Sequence, residues 1–262
     1  MAIGLIIIGD EILSGKRSDR HFSAAIEMLK KRGMQLDWAE YLSDDPERIT
    51  ATLRRTFATG DMVFSCGGIG ATPDDHTRRC AAQALNVPLV LHPEAKEKII
   101  ERIRDFALQH GRPVDYDAPD NLQRLRMGEF PKGAMIIPNP VNKIPGFSVG
   151  THYFFPGFPE MAHPMMTWVL DTYHQADFFR IDHVEKSVTV YGAVEAMMTP
   201  MMEEIEREFS QVRVFSLPHI GTPGSRSYVE LGVKGASAEV ERAFTCLQEG
   251  LRQIHAEYEI NL

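Results

Sequence analysis

The residues from Ser65 to Thr77 read Ser-Cys-Gly-Gly-Ile-Gly-Ala-Thr-Pro-Asp-Asp-His-Thr and place glycines, hydroxyls and two adjacent carboxylates on one short segment. An apolar run, Met62-Val63-Phe64, precedes it, and a helical pattern from Arg78 to Leu85 follows. Strand, glycine-rich turn, polar turn and helix together form the layout of an anion-binding loop. Glycines let backbone approach a phosphate closely, and a helix start offers free N–H groups and a positive dipole end. Asp74 and Asp75 repel phosphate, so either they hold a divalent cation that bridges to it or they cap the helix. The loop has neither the Gly-Lys-Ser/Thr of a Walker A box nor the G-x-G-x-x-G of a dinucleotide fingerprint. Cys66 beside it is a nucleophile or, as the bland reading, a small buried residue at a strand end.

Further carboxylates follow other predicted strands. Ile3 to Ile8 reads as a fully buried strand that ends in the polar turn Gly9-Asp10-Glu11. A second strand, about Gln35 to Leu42, leads to Ser43-Asp44-Asp45-Pro46, where an aspartate can serve a ligand or N-cap the next helix with Pro46 in its first turn. Ile49, Leu53 and Phe57 give that helix its four-residue spacing. Between the first two strands, Phe22, Ile26, Met28 and Leu29 have helical spacing, stopped by Gly33. Strands alternating with helices at this spacing predict βαβ units and a parallel sheet covered on both faces, with ligands beyond the carboxyl ends of the strands. The turns at Asp10, Asp44 and Asp75 can then converge on one cleft.

Downstream, a long helix is predicted from Pro93 to Gly111 and a shorter one from Asp115 to Glu129. Short strands follow at 134–137 and 153–155, with Pro-Gly turns after them. Beyond about residue 180 the pattern changes to a strand at 187–191, a helix at 195–209, strands at 212–217 and 228–233, a helix at 236–256 and perhaps a last strand near 258–260. That order predicts a small α+β domain of ferredoxin-like type. Its loop 218–226 is a surface hairpin turn, or else brings His219 and Arg226 to an anionic ligand.

Composition narrows the class. The chain has 262 residues, 44% of them hydrophobic and 24% charged, the profile of an ordinary globular protein. A formal net charge of −8 argues against general nucleic-acid binding. No apolar run reaches the length of a membrane span, and the first strand starts too early for a signal peptide. Three cysteines show neither pairing nor metal spacing, so a reduced, cytoplasmic setting is expected.

Several motifs occur here in the order of one family: Gly9-Asp10-Glu11-Ile12-Leu13, Gly67 to Asp75 with Thr77, Asn139-Pro140, Pro145-Gly146, and Pro156-Gly157-x-Pro159-Glu160-Met161. They resemble the molybdopterin-binding domain shared by MoaB/MogA proteins and, more closely, the N-terminal part of competence/damage-inducible protein CinA. The N-terminal domain of eukaryotic FAD synthase is similar too. The resemblance covers residues 1–175 and implies a three-layer α/β/α, MogA-like domain with a mostly parallel sheet. Residues 181–262 resemble the smaller domain that follows in CinA-type proteins.

What the resemblance implies for function divides three ways. CinA-type proteins suggest metal-dependent hydrolysis of a dinucleotide such as ADP-ribose, with Mg²⁺, Mn²⁺ or Co²⁺. A receptor that binds molybdopterin or a nucleotide without turnover is the second reading, and molybdopterin adenylyl transfer from ATP the third. Transferase-type loops carry a basic residue where this chain has Asp74, and the added negative charge favours a metal. The implied site has Asp75 and Asp74 on the metal, with Asp10 and Asp44 or Asp45 as further ligand or general base. Backbone N–H groups from Gly67 through Gly68 and Gly70 to Thr72, with the Thr72 hydroxyl, bind phosphate. Gly157 allows close approach on the opposite wall, and Asn139 and Pro159 belong to the binding motifs. Lys143 binds a phosphate or is a solvated loop lysine; His76 ligates metal or is structural; Glu11 takes a ribose hydroxyl or caps a turn. Related domains form dimers or trimers, so a homo-oligomer is implied.

Overall fold

Ile3–Ile8 (β1) is buried along its whole length because it lies inside a sheet covered on both faces. Leu5 and Ile7 join one apolar cluster and Ile6 and Ile8 another, the alternation a pleated strand requires. Gly4 breaks the apolar run for a packing reason: a β-carbon there would collide with the indole of Trp38 on the neighbouring strand. The computed structural model describes residues 2–111, 113–180, 183–192, 195–221 and 226–261. The chain divides into two units, Met1–Phe178 and Phe179–Leu262.

In the first unit a short helix, Asp10–Leu13 (α1), follows β1 and precedes His21–Lys30 (α2) and Trp38–Leu42 (β2). Pro46–Phe57 (α3), Met62–Cys66 (β3), Thr77–Leu85 (α4), Leu89–Leu91 (β4), Pro93–Gln109 (α5), Pro119–Leu125 (α6) and Glu129–Pro131 (β5) come next. Met135–Ile137 (β6), Gly146–Val149 (β7), His152–Phe155 (β8) and Pro159–Tyr173 (α7) complete it. The six-stranded sheet runs β2-β1-β3-β8-β7-β6. Pairings from β2 through β8 are parallel, while β7 lies antiparallel to both β8 and β6. One face is covered by α2 and α7 through Leu29, Met165, Met166 and Val169. The other packs on α3, α4 and α5 through Ile49, Leu53, Ala81 and Ala95. A ring stack, Phe130–Phe147–Phe154 with centroids 4.8 and 4.4 Å apart, fills the second layer. This is the mostly parallel three-layer arrangement the alternating pattern predicts.

In the second unit His183–Tyr191 (β9), Glu195–Glu208 (α8), Val212–His219 (β10), Tyr228–Ala236 (β11), Ser237–Gln253 (α9) and Glu257–Ile260 (β12) follow in order. Their sheet runs β10-β11-β9-β12 with every neighbour antiparallel, the split β-α-β ladder of a ferredoxin-like sandwich. Val188, Val190, Leu231 and Val233 face Val240, Phe244 and Leu247 of α9 in a separate core.

Local expectations change in four places. The stripe of α2 turns by one residue: His21, Ala25 and Leu29 are buried, whereas Phe22 and Ile26 are each 39% exposed. Asp19 fixes that start by accepting from the N–H groups of His21 and Phe22. The helix expected over 115–129 shrinks to α6 and a 3₁₀ turn, because 129–131 pairs with β4. The Pro145-Gly146 turn opens directly into strand β7. On the hairpin of the second unit, β10 extends to His219, which stacks on Tyr228. Arg226 closes a bidentate pair with Glu257 and lies over Tyr191; residues 222–225 of that loop lie outside the described set.

Candidate ligand site at the carboxyl edge of the sheet

Parallel strands β1, β2, β3 and β8 end at one edge, and β6 also leaves the sheet there, since Ile137 pairs with Gly146 and Phe147 with Phe154. The segments after these strands carry Asp10, Asp44, the glycine loop, Asn139 and Gly157. Gly67 roots the loop between β1 and β8. Its N–H donates to the Phe155 carbonyl at 3.0 Å, and a β-carbon on it would strike the Ile8 carbonyl. Gly67 and Gly68 have φ of 106° and 68°, backbone states that side chains disfavour. Thr77, fully buried, locks this turn: its hydroxyl donates to the Gly67 carbonyl and its N–H to the Gly68 carbonyl, each at 3.0 Å.

Asp75 turns inward on the loop. One carboxylate oxygen accepts the Gly70 N–H at 2.8 Å; the other accepts the Thr72 N–H at 2.8 Å and its hydroxyl at 2.6 Å. Both oxygens therefore shape the loop, and the Thr72 hydroxyl is committed to them. Of the loop N–H groups expected to hold phosphate, those of Gly67, Gly70 and Thr72 are used internally. Those of Gly68, Ile69 and Ala71 have no acceptor among the described residues. Gly157 forms the facing wall; a methyl on it would sit 3.5 Å from the Gly67 α-carbon. Its carbonyl meets the Nε2 of buried His21 at 3.2 Å, and Pro159 opens α7 directly behind it.

Asp10 and Asp44 meet across the ends of β1 and β2. The Asp10 N–H donates to an Asp44 oxygen at 2.8 Å, and the Asp44 N–H returns a longer bond, 3.3 Å, to Asp10. Burial raises the Asp44 carboxyl above its ordinary value; the Asp10 N–H opposes this, and the charges of Asp10, Glu11 and Asp74 add to the rise. Asp45 is the N-cap of α3, accepting from Glu47 and Arg48. The paired aspartates thus divide, Asp44 to the cleft and Asp45 to the helix.

The remaining candidates separate from this edge or serve structure. Cys66 is 1% exposed, and burial pushes its thiol up, which disfavours the thiolate. Lys143 reaches Asp105 at 2.7 Å and so is held by α5. Asn139 is buried, its side chain accepting the Val141 N–H to shape the β6–β7 turn. His76 occupies the N-cap position of α4 with no side-chain cap bond. Sequence reasoning overlooked Arg78, which is buried and donates to the carbonyls of Gly70, Arg126 and Glu129. Its position inside the amphipathic start of α4 gave no sign that it would support the loop from below.

Carboxylates and phosphate oxygens are the ligand set of a hard divalent cation. Among the described residues no three His, Cys, Asp or Glu side chains cluster to hold a metal by themselves. The Asp10–Asp44 pair fits an ion that keeps one or two carboxylates and takes its other ligands from water and a bound phosphate, the habit of Mg²⁺.

Residues 4–175 match the model of a family described as probable molybdopterin binding domain. A CinA-like protein of Anaeromyxobacter sp. (strain K) is 33% identical over 175 residues, 65% of this chain and 40% of that protein. A CinA-like protein of Desulforapulum autotrophicum is 30% identical over 223 residues, 81% of this chain and 50% of its own length. The chain thus spans half or less of these curated relatives. Among solved structures, that of the protein CinA with unknown function from Thermoplasma acidophilum aligns with a TM-score of 0.55 at 25% identity, covering 65% of this chain and 98% of that one.

Proposed function

Because the chain belongs to the probable molybdopterin binding domain family, we propose that its α/β unit binds the diphosphate of a nucleotide or pterin on the glycine loop and hydrolyses a dinucleotide such as ADP-ribose with a divalent cation. One observation carries the reading. The N–H groups of Gly68, Ile69 and Ala71 lack acceptors among the described residues on the loop after β3, and Asp10 and Asp44 meet after the adjoining parallel strands β1 and β2. Anion donors and cation-attracting carboxylates therefore share one edge, as a metal–diphosphate needs.

Each group has a defined task in this reading. The three free N–H groups take phosphate oxygens, and the close-set Gly67 and Gly157, neither with a side chain, leave the backbone edge open for the diphosphate to lie against. Asp10, helped by Asp74, holds the cation, which when bound offsets diphosphate charge. Asp44, raised by burial, accepts the proton of the attacking water; a phosphorus–oxygen bond to that water forms as the bridging bond breaks, giving AMP and ribose 5-phosphate. Asp75 keeps the loop in shape and stays off the reacting atoms.

Metal-stripped protein incubated with ADP-ribose, FAD, NAD and coenzyme A, with and without Mg²⁺, Mn²⁺ or Co²⁺, tests this. Metal-dependent AMP is the expected product. Ligand bound with no product from any of them would overturn hydrolysis and leave the receptor reading, which the same free N–H groups favour.

A further inference from the structure

A cleft of about 280 Å³ opens beside the glycine loop, bordered by Ala71, Thr72, Pro73 and Asp75 of the loop and by none of Asp10, Asp44, Gly67 or Gly157. Arg78 and Arg79 from the first turn of α4 and Arg126 from the end of α6 line it, together with Thr72, Gln123 and Glu129. In a chain of net charge −8, three guanidiniums against the two carboxylates of Asp75 and Glu129 make this concave wall a local reversal of sign.

Arg78 is the unusual member. It is 8% exposed, its terminal nitrogens bond only to carbonyls, and its Nε has no partner among the described residues. No carboxylate lies within ion-pair distance of it, although a buried charge ordinarily demands one. Asp75 lines the same cleft but spends both oxygens on the loop. Burial holds Arg78 below its ordinary basicity; the charges of Asp75 and Glu129 oppose this, and those of Arg126 and Arg79 add a smaller repulsion. Neither Arg79 nor Arg126 has an ion pair among the described residues; Arg126 has only a 3.3 Å bond to Gln123. Three guanidiniums against two carboxylates, none of them joined in an ion pair among the described residues, leave a net positive charge in a cavity near the lower size of ligand pockets, which suits an anion.

We propose that this cleft is a second anion site, meeting the glycine-loop edge at Ala71 and Thr72, that takes the phosphate group of a small phosphorylated molecule between Arg79 and Arg126 over buried Arg78. It needs neither metal nor turnover, so it stands apart from the hydrolase reading.

Inorganic phosphate is the probe. The Nε–H resonances of the arginines in the full chain are followed by NMR during titration without metal or nucleotide. Saturable shifts at Arg79 and Arg126 are expected, with affinity falling about tenfold in Arg79→Gln/Arg126→Gln, the order expected for a lost charge-assisted contact. Both side chains are exposed, so the fold should hold, and an unchanged thermal midpoint verifies it; the single Arg79→Gln variant serves if the double one unfolds. Asp44→Asn should bind phosphate in the cleft as the parent does. A non-saturating response at these arginines, or undiminished affinity in the arginine variants, would overturn the site.

Discussion

Asp74 and Asp75 are neighbours with opposite assignments: the first stays in solvent, while the second is folded under the loop by three donors. Spacing reveals that two carboxylates follow a glycine turn, but which one faces inward depends on where the N–H groups of Gly70 and Thr72 point. That direction is set by glycine dihedrals, which residue types permit without dictating. The same limit hid Arg78, an ordinary-looking helix arginine whose partners are carbonyls of distant turns. Asp44 against Asp45 was closer to legible, since Pro46 marks the helix start and so nominates the residue before it as cap. Asp75→Asn replaces an acceptor by a donor opposite the Thr72 group. It should cost about 2 kcal/mol in urea unfolding and speed exchange of the Gly70 and Thr72 amides, since bonds to a charged group contribute on this order. Unaltered stability would return Asp75 to the role of a free ligand.

Elements were easier to read than the faces they present. The buried run of β1 and the spacing of α3 follow directly from their side chains, whereas α2 rotates because Asp19 sets its first turn. Strands β4, β5 and β7 escape notice because prolines or a Pro-Gly turn border or end each of them, whereas the equally short β6 and β8 show as unbroken apolar runs. Convergence at the carboxyl edge was predictable, because parallel strands put their following turns on one side. The narrowness of the cleft arises between two of those turns, the β3–α4 loop and the β8–α7 turn. Gly157 lies outside the left-handed region, and a methyl on it makes only ordinary contact with Gly67. Gly157→Ala should therefore keep the thermal midpoint of the parent yet weaken ADP-ribose binding roughly tenfold, about 1.4 kcal/mol. Equal affinity by calorimetry would move the diphosphate away from this gap.

At the scale of the molecule, two units with separate cores carry different kinds of information. The β-α-β-β-α-β order of the second was visible in its pattern, but its open-sheet side chains announce no chemistry. The first also holds a pH-dependent element of stability. His152 is buried against Phe57 with its Nε2 near the Thr56 hydroxyl, and burial lowers its pKa to about 4. The unfolded chain takes up this proton near pH 6.5 and the folded chain does not. Stability is thus full above pH 6.5 and declines as pH falls toward 4, by about 3 kcal/mol for this shift. His21 and His163 are lowered by burial too, so His152→Asn should flatten the pH profile of unfolding without levelling it; an unchanged slope would assign acid sensitivity elsewhere.

The central claim, that Asp44 activates water for a diphosphate held by the loop, is tested most directly by comparing the parent and Asp44→Asn in two readings on one ADP-ribose titration, affinity and metal-dependent AMP release. Asparagine keeps an oxygen that can accept the Asp10 N–H but cannot take up a proton at neutral pH. Affinity within a few-fold of the parent with AMP release reduced at least about a hundredfold, the scale of a lost general base, is the predicted result. AMP release at the parental rate by Asp44→Asn would contradict it.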